Sequence, residues 1–341
     1  MARYFLIALL VTVAILLIVF EADALFILFG GVLFGVFLKT VADALVRVSR
    51  IPYRLAVVEI VLILLGGAVV LALSAGPQLV RQMSNLIETL PSAFHNVEGY
   101  AEKYLGDGWA TTARATDLHP TATTIVAGAR GAVLGSFQII AGLVVIGFTG
   151  LYGALSPRAY ARVALVVVPP QHRVRARQVL TETVRRLGRW IVGRAVAMAF
   201  VGVATSAGLW ALHVPLAFAL GVLAGVLAFI EFFGAIASAI PPILLALSVS
   251  PSKAAWVVVL FLGVHLVEGY LLTPFIARTA VHFPPGYTLA LQALFGALFG
   301  ILGLTFATPT GIVAVTIIEI LYVRDVLGER TLPSLPKAKP T

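Results

Sequence analysis

The chain has no cysteine, which excludes a disulfide framework, a thiol nucleophile and a thiolate-bound metal, and leaves the compartment unreadable from redox chemistry. Charge is scarce too. Only 11% of the 341 residues are charged while 60% are hydrophobic, more apolar surface than a soluble domain can enclose. There is no Gly-Lys dipeptide, so no Walker A loop can be built and ATP-driven pumping would need another subunit. No H-E-x-x-H zinc motif and no G-x-S-x-G nucleophile elbow occurs. An enzyme is therefore not expected, nor a metal site, nor any cofactor. Acids are the rarer sign, 15 Asp and Glu against 24 Lys and Arg, for a formal charge of +9. The arginines fall between apolar runs, as orientation in a membrane requires, and no nucleic-acid partner is expected.

What remains is a series of long apolar runs, which predicts an all-α polytopic membrane protein. About six full spans are expected, plus two broken or re-entrant helical hairpins and a small amphipathic outer helical region. Residues 1–76 hold three membrane helices. The first covers Tyr4 to Phe20, and the second, a short run from Ala24 to Leu38, forms a tight hairpin with it. The third runs from Leu55 to Gly76, with Glu59 read as a structural group near its end. Lys39, Arg47, Arg50 and Arg54 mark a cytoplasmic loop, which puts the N-terminus inside.

Residues 77–130 form the one sizeable polar region, expected outside the membrane. Leu79, Met83, Leu86 and Leu90 repeat at helical spacing, and Phe94, Val97 and Tyr104 continue after Pro91. A lid, an oligomer contact and a helix pair lying on the lipid surface all fit this pattern. Residues 131–213 hold the fourth and fifth spans, Ala132 to Leu155 and Trp190 to Leu212. Between them lies an Arg-rich cytoplasmic loop (Arg158, Arg162, Arg173, Arg175, Arg177, Arg185, Arg186 and Arg189, with Glu182), suited to anionic lipid head groups. Residues 326–341 read as a cytoplasmic tail.

The transport core is expected in residues 214–325. Pro215 to Ile230 and Ala235 to Leu247 read as two arms joined at Glu231-Phe232-Phe233-Gly234, with the Pro241-Pro242 pair interrupting the second. Tyr287 to Phe306 and Gly311 to Val323 read as another pair, joined at Ala307-Thr308-Pro309-Thr310. Between the hairpins runs a helix from about Ala254 to Ile276. It places His265 and Glu268 on one face at i, i+3, and Pro274 leaves the Tyr270 carbonyl without its helical donor. Ionisable groups at membrane depth are costly and functional by default, and a sealed His–Glu strut is the competing reading. The charge count leaves each hairpin crossing the membrane twice or re-entering. If both re-enter, their tips meet near the midplane.

Three segments of the last third, with the early helix pair, outer region and Arg-rich loop, resemble the AI-2E transporter family over nearly the whole chain. They are Ile230-Glu231-Phe232-Phe233-Gly234 leading to Ile240-Pro241, then Glu268-Gly269-Tyr270 with Leu272-Thr273-Pro274, and Leu294-Phe295-Gly296 with Phe299-Gly300 and Gly303 leading to Ala307-Thr308-Pro309. Two departures stand out. The family usually carries a pattern like Ile-Pro-x-x-Gly-Pro at the first tip, where this chain has Phe232-Phe233-Gly234-Ala235, and a glutamine where Arg194 follows Gly193.

The resemblance implies export of a small polar solute, such as the signalling molecule autoinducer-2, or sodium/proton antiport. It also implies a homo-oligomer in the bacterial inner membrane. A membrane scaffold is the reading from another class. The expected substrate path has Glu231, Ser238, Thr305, Thr308 and Thr310 as polar contacts, with Pro241 and Pro309 holding backbone groups out of helical bonding. Glu268 and His265 are the expected coupling pair, exchanging a proton or sodium ion. The expected partners are a small-molecule or ion substrate, membrane lipid and further copies of the chain.

Overall fold

The computed structural model describes residues 21–78, 80–82, 84, 85, 88, 136–272 and 284–328. The expected first span, nearly all of the outer region, Pro274 and the end of the tail lie outside the described residues. Those described form helices and no strand, because an apolar chain in lipid must satisfy its backbone polar groups within each segment. Among the described residues, five helical runs are long and apolar enough by length and composition to cross a bilayer, or six if a pair bent by 96° at Ser156 is one span.

The chain divides into two compact units. The first comprises Met1–Ile60, Val145–Val192 and Thr279–Thr341. Its first described helix, α1 (Ala22–Ser49), is much longer than the short run expected. Lys39 and Arg47 stand on it and not in a loop. Lys39 pairs with Asp43 one turn on at 2.5 Å, Arg50 follows the helix in a left-handed conformation (φ 57°), and Arg54 stands in the first turn of the next helix. Helix α2 (Tyr53–Ser74) begins in this unit, and the Tyr53 hydroxyl donates to the Ala154 carbonyl at 2.9 Å. Helix α3 (Ser136–Leu155) crosses α1 where both present glycine. A Cβ on Gly35 would lie 3.0 Å from the Gly150 carbonyl oxygen, and one on Gly31 would lie 2.7 Å from the Thr149 side chain. Small residues let the backbones meet, which is how helices associate without a hydrophobic drive between them.

Helix α4 (Pro157–Val166) turns away from α3. A short 3₁₀ turn, Pro170–His172, leads into α5 (Arg173–Ala211). The Arg-rich segment expected as a loop is therefore largely helical. Arginine is a good helix former, and no proline or glycine interrupts Arg173 to Leu187. At 39 residues, α5 is about 58 Å long, nearly twice a hydrocarbon core of about 30 Å, so its charged first half projects beyond the membrane.

The second unit comprises Val61–Val144 and Gly193–Arg278. Helices α6 (Ala217–Leu227) and α7 (Phe233–Val249) are joined by a tight turn at 228–232, so the break begins a few residues before the expected joint at Glu231-Phe232-Phe233-Gly234, and Phe233 and Gly234 open α7. Gly234 sits so close to the Leu227 carbonyl that a Cβ would approach its oxygen to 1.8 Å. Helix α8 (Pro251–Val267) follows, its start capped by the Ser250 hydroxyl accepting from the Lys253 amide. The core gathers Val201 and Leu209 of α5, Leu220 and Ala224 of α6, Leu245 of α7, and Val257 and Phe261 of α8. Gly221 and Gly225 lie against Ser206 and Gly202, a packing role for the small residues of α6. The Gln82 side chain accepts the Ala219 amide in the first turn of α6.

Candidate transport site

Four ionisable residues of the second unit, Arg194, Glu231, His265 and Glu268, converge beside the first hairpin's turn. Helix α8 gives way at Glu268 to a π-helical turn, Glu268–Leu272, a widening that recurs at functional positions. His265 Nδ1 lies 2.8 Å from Glu268 Oε2. From α5, the Arg194 guanidinium donates through Nη1 to the other oxygen of Glu268 at 3.3 Å, and through Nε to the Phe229 carbonyl at 3.1 Å. Phe229 lies in the hairpin turn, so the arginine ties the broken backbone to the carboxylate. Glu231 stands further off, 3.9 Å from Arg194 Nη1.

The side chains of Arg194 and Glu268 are 11% and 13% exposed, against 29% for Glu231. With a neutral imidazole the four groups carry one net negative charge, and with an imidazolium they carry none. The carboxylate accepts from Nδ1–H, which leaves the lone pair of a neutral imidazole on Nε2. That atom is buried and has no hydrogen-bond partner among the described residues. The Phe261 ring lies against the imidazole, with centroids 6.2 Å apart.

Arg194 is the residue that the sequence reading did not place in the site. Its signal was available: an arginine one turn inside an apolar span has to find a carboxylate or a carbonyl.

The polar residues expected along the substrate path divide between the units. In the second unit, Glu231 lies in the turn and Ser238 is 1% exposed. The Ser238 hydroxyl donates to the Ala235 carbonyl at 3.1 Å. Pro241 and Pro242 do not interrupt α7, which runs through both. They remove the amide donors that the Ala237 and Ser238 carbonyls would otherwise have.

In the first unit, α9 (Pro285–Ile318) folds back at Gly300, with φ 62° and ψ −146°, and not at Ala307-Thr308-Pro309-Thr310. Gly296 packs against Leu304, and Gly303 against the Phe295 carbonyl, contacts that residues eight apart make only across a reversal. The reason is steric. This backbone geometry is open essentially to glycine alone, whereas a proline is tolerated inside a buried apolar helix. Thr308 and Pro309 are therefore buried in the second arm, Thr305 donates to the Ile301 carbonyl at 2.6 Å, and Thr310 follows at intermediate exposure.

The same unit holds a second ionic network. Arg186 reaches Glu319 at 2.8 Å and Glu182 at 2.7 Å, Arg324 also pairs with Glu319, and Arg175 pairs with Asp325. The Arg175 hydrogen bond holds the Asp325 carboxyl below the usual carboxylate range. Among the described residues, no three His, Asp or Glu groups are placed to hold a metal ion.

Long apolar helices with exposed apolar faces and glycine-mediated helix crossings together define a multi-pass membrane protein. The chain belongs to the AI-2E transporter family, whose model matches residues 5–322. It is 22% identical over 309 residues to YueF, a candidate transport protein of Bacillus subtilis (strain 168), covering 86% of this chain and 82% of YueF. YrrI of the same organism, also a candidate transport protein, is 26% identical over 294 residues, 80% of each chain. A candidate transport protein of Thermotoga maritima is 28% identical over 134 residues, 39% of this chain and 41% of its own.

Proposed function

We propose that the protein moves a small polar solute, a signalling molecule such as autoinducer-2 among the options, across the bacterial inner membrane by a gradient-coupled cycle. The observation that supports this best is the Arg194–Glu268–His265 cluster, with Glu231 at its edge. A sealed strut would have each acceptor and donor matched, whereas here Nε2 of His265 is buried without a partner among the described residues. A proton arriving at Nε2 would change the charge facing Glu268 and loosen its hold on Arg194. Arg194 in turn would loosen its hold on the Phe229 carbonyl in the hairpin turn. Ion binding and backbone rearrangement then share one set of contacts.

Both termini and the Arg-rich segment face the cytoplasm in this reading, residues 77–130 face outward, and the chain assembles as a homo-oligomer. Glu231, Ser238 and Pro241 supply polar groups from one hairpin, and Thr305, Thr308, Pro309 and Thr310 supply them from the other. Sodium/proton antiport at the same cluster is the second reading, and the two carboxylates near Arg194 favour it. Glu268→Gln keeps the shape and a hydrogen bond while removing the charge. In sealed proteoliposomes, coupling predicts a folded variant whose ion or solute flux no longer responds to imposed pH or sodium gradients. An unchanged response to both removes the coupling role.

A further inference from the structure

The second hairpin contains a buried polar group that takes no part in the Glu268 cluster. Gln292, in the first arm of α9, is 1% exposed, and its Oε1 atom has no hydrogen-bond partner among the described residues. Thr288, one turn earlier on the same face, is 4% exposed. An amide whose only task is to join helices has its oxygen bonded, and a leucine of similar size would fill the place without an unmet acceptor.

The register of the hairpin locates this amide. Gly296 lies opposite Leu304, and Phe295 lies beside Gly303. Position 292 is one turn from 296 on the face that meets the second arm, so continuing the register brings Gln292 level with Thr308, which is 5% exposed. One residue on, Pro309 has no amide hydrogen, so the Thr305 carbonyl lacks its helical donor. The strip between the arms thus offers an amide, a hydroxyl and a freed carbonyl. No Asp, Glu, Lys, Arg or His occurs from Pro285 to Ile318. The hairpin also carries aromatic side chains: Phe299 and Phe306 pack on Phe26 of α1 with ring centroids 5.5 and 5.6 Å apart.

We propose that Gln292, with Thr288 and Thr308, forms a binding site inside the second hairpin for a small uncharged hydroxylated solute. Uncharged donors and acceptors suit hydroxyl groups on a carbon skeleton, and they offer nothing to balance an ion's charge. The site rests on the reading of the protein as a transporter, but it does not rest on coupling at Glu268. In the sealed arrangement Oε1 is covered, so the solute enters when the arms part about Gly300.

The natural absence of cysteine makes the test direct. Thr288→Cys, which keeps the Gln292 amide and the Thr308 hydroxyl, is introduced into the full chain in proteoliposomes and treated with hydroxyethyl methanethiosulfonate, an uncharged hydroxylated thiol reagent. Ile312→Cys, at 1% exposure against 4% for Thr288, serves as a comparably buried apolar control. The site predicts modification at position 288 at least tenfold faster than at 312, slowed twofold or more by erythritol at 288 only. Equal rates, or no protection by erythritol, overturn it. Gln292→Met provides a second reading: the site predicts a thermal midpoint no lower than the parent's, whereas a drop of several degrees marks a structural amide and overturns the proposal. Because neither readout measures flux, a failed coupling test at Glu268 leaves both interpretable.

Discussion

Arg194→Met tests whether the Arg194–Glu268 contact is the organising interaction of the second unit. Methionine keeps much of the arginine stem's bulk and removes the charge. Glu268, 13% exposed, then keeps its contact with His265 but loses the guanidinium, and the Phe229 carbonyl loses a donor. Removing one partner of a buried ion pair costs about 3–5 kcal/mol, because the remaining charge stays desolvated. The remaining His265 contact argues for the lower end, about 3 kcal/mol. With an unfolding entropy of about 2 cal/mol/K per residue over 341 residues, that corresponds to a fall of about 4 °C in thermal midpoint.

Glu268→Gln removes the charge that makes the arginine's loss expensive. The double variant should therefore be more stable than the sum of the single losses predicts, by about 2 kcal/mol. Scanning fluorimetry of the purified full chain, read as a double-mutant cycle, measures this. Additivity within about 0.5 kcal/mol would mean that the two groups do not sense each other, and the link between hairpin turn and carboxylate would be lost with it.

Gly35→Val should disrupt the α1–α3 crossing and destabilise the protein by about 1–3 kcal/mol through overpacking, while Gly66→Ala, which meets nothing within 4 Å inside α2, should not lower the midpoint. Gly300→Ala should cost about 1–3 kcal/mol from backbone strain at φ 62° and ψ −146°, again read by thermal unfolding. The Arg175–Asp325 pair sets a pH window. Because the folded carboxyl is depressed, its contribution is full above the unfolded value of about 3.9 and is lost as pH falls through the lower folded value. The midpoint difference between the parent and Asp325→Asn should thus be flat from about pH 8 to 5 and shrink only below about pH 4, and a decline starting near neutrality would contradict the pairing.

Hydropathy and charge were enough to read the all-helical, multi-pass class, because lipid leaves a spanning backbone so few choices. The broken turn at Glu231 and the His265–Glu268 pair were also legible, the first from Gly234 and the second from its spacing. The Arg-rich segment was misread as a loop because hydropathy detects only the lipid-facing half of a helix such as α5. The fold-back of α9 was misplaced because proline was weighted above glycine. Pro309 and the Pro241-Pro242 pair all sit within helices, and the reversal falls at Gly300, whose torsions exclude other residues. Arg194 was noticed as a departure from the family pattern, but its partners come from two distant parts of the chain, and spacing alone does not bring these together.

The two hairpins differ in a way that bears on how transport would be organised. The first has four ionisable side chains around its turn and the neighbouring α8: Arg194, Glu231, His265 and Glu268. Along α9 the second has none before Glu319, and its buried polar groups are Thr288, Gln292, Thr308 and Thr316. A charged cluster responds to protons or cations, whereas amides and hydroxyls select by hydrogen bonding and shape, so under the proposed function response to a gradient and choice of solute fall to different hairpins. Variants should separate accordingly. Changes at Arg194 or Glu268 should alter the dependence of flux on pH or sodium, and changes at Gln292 or Thr308 should alter which solute is carried at fixed pH. If one class of variant moved both properties together, a single shared site would replace the divided arrangement.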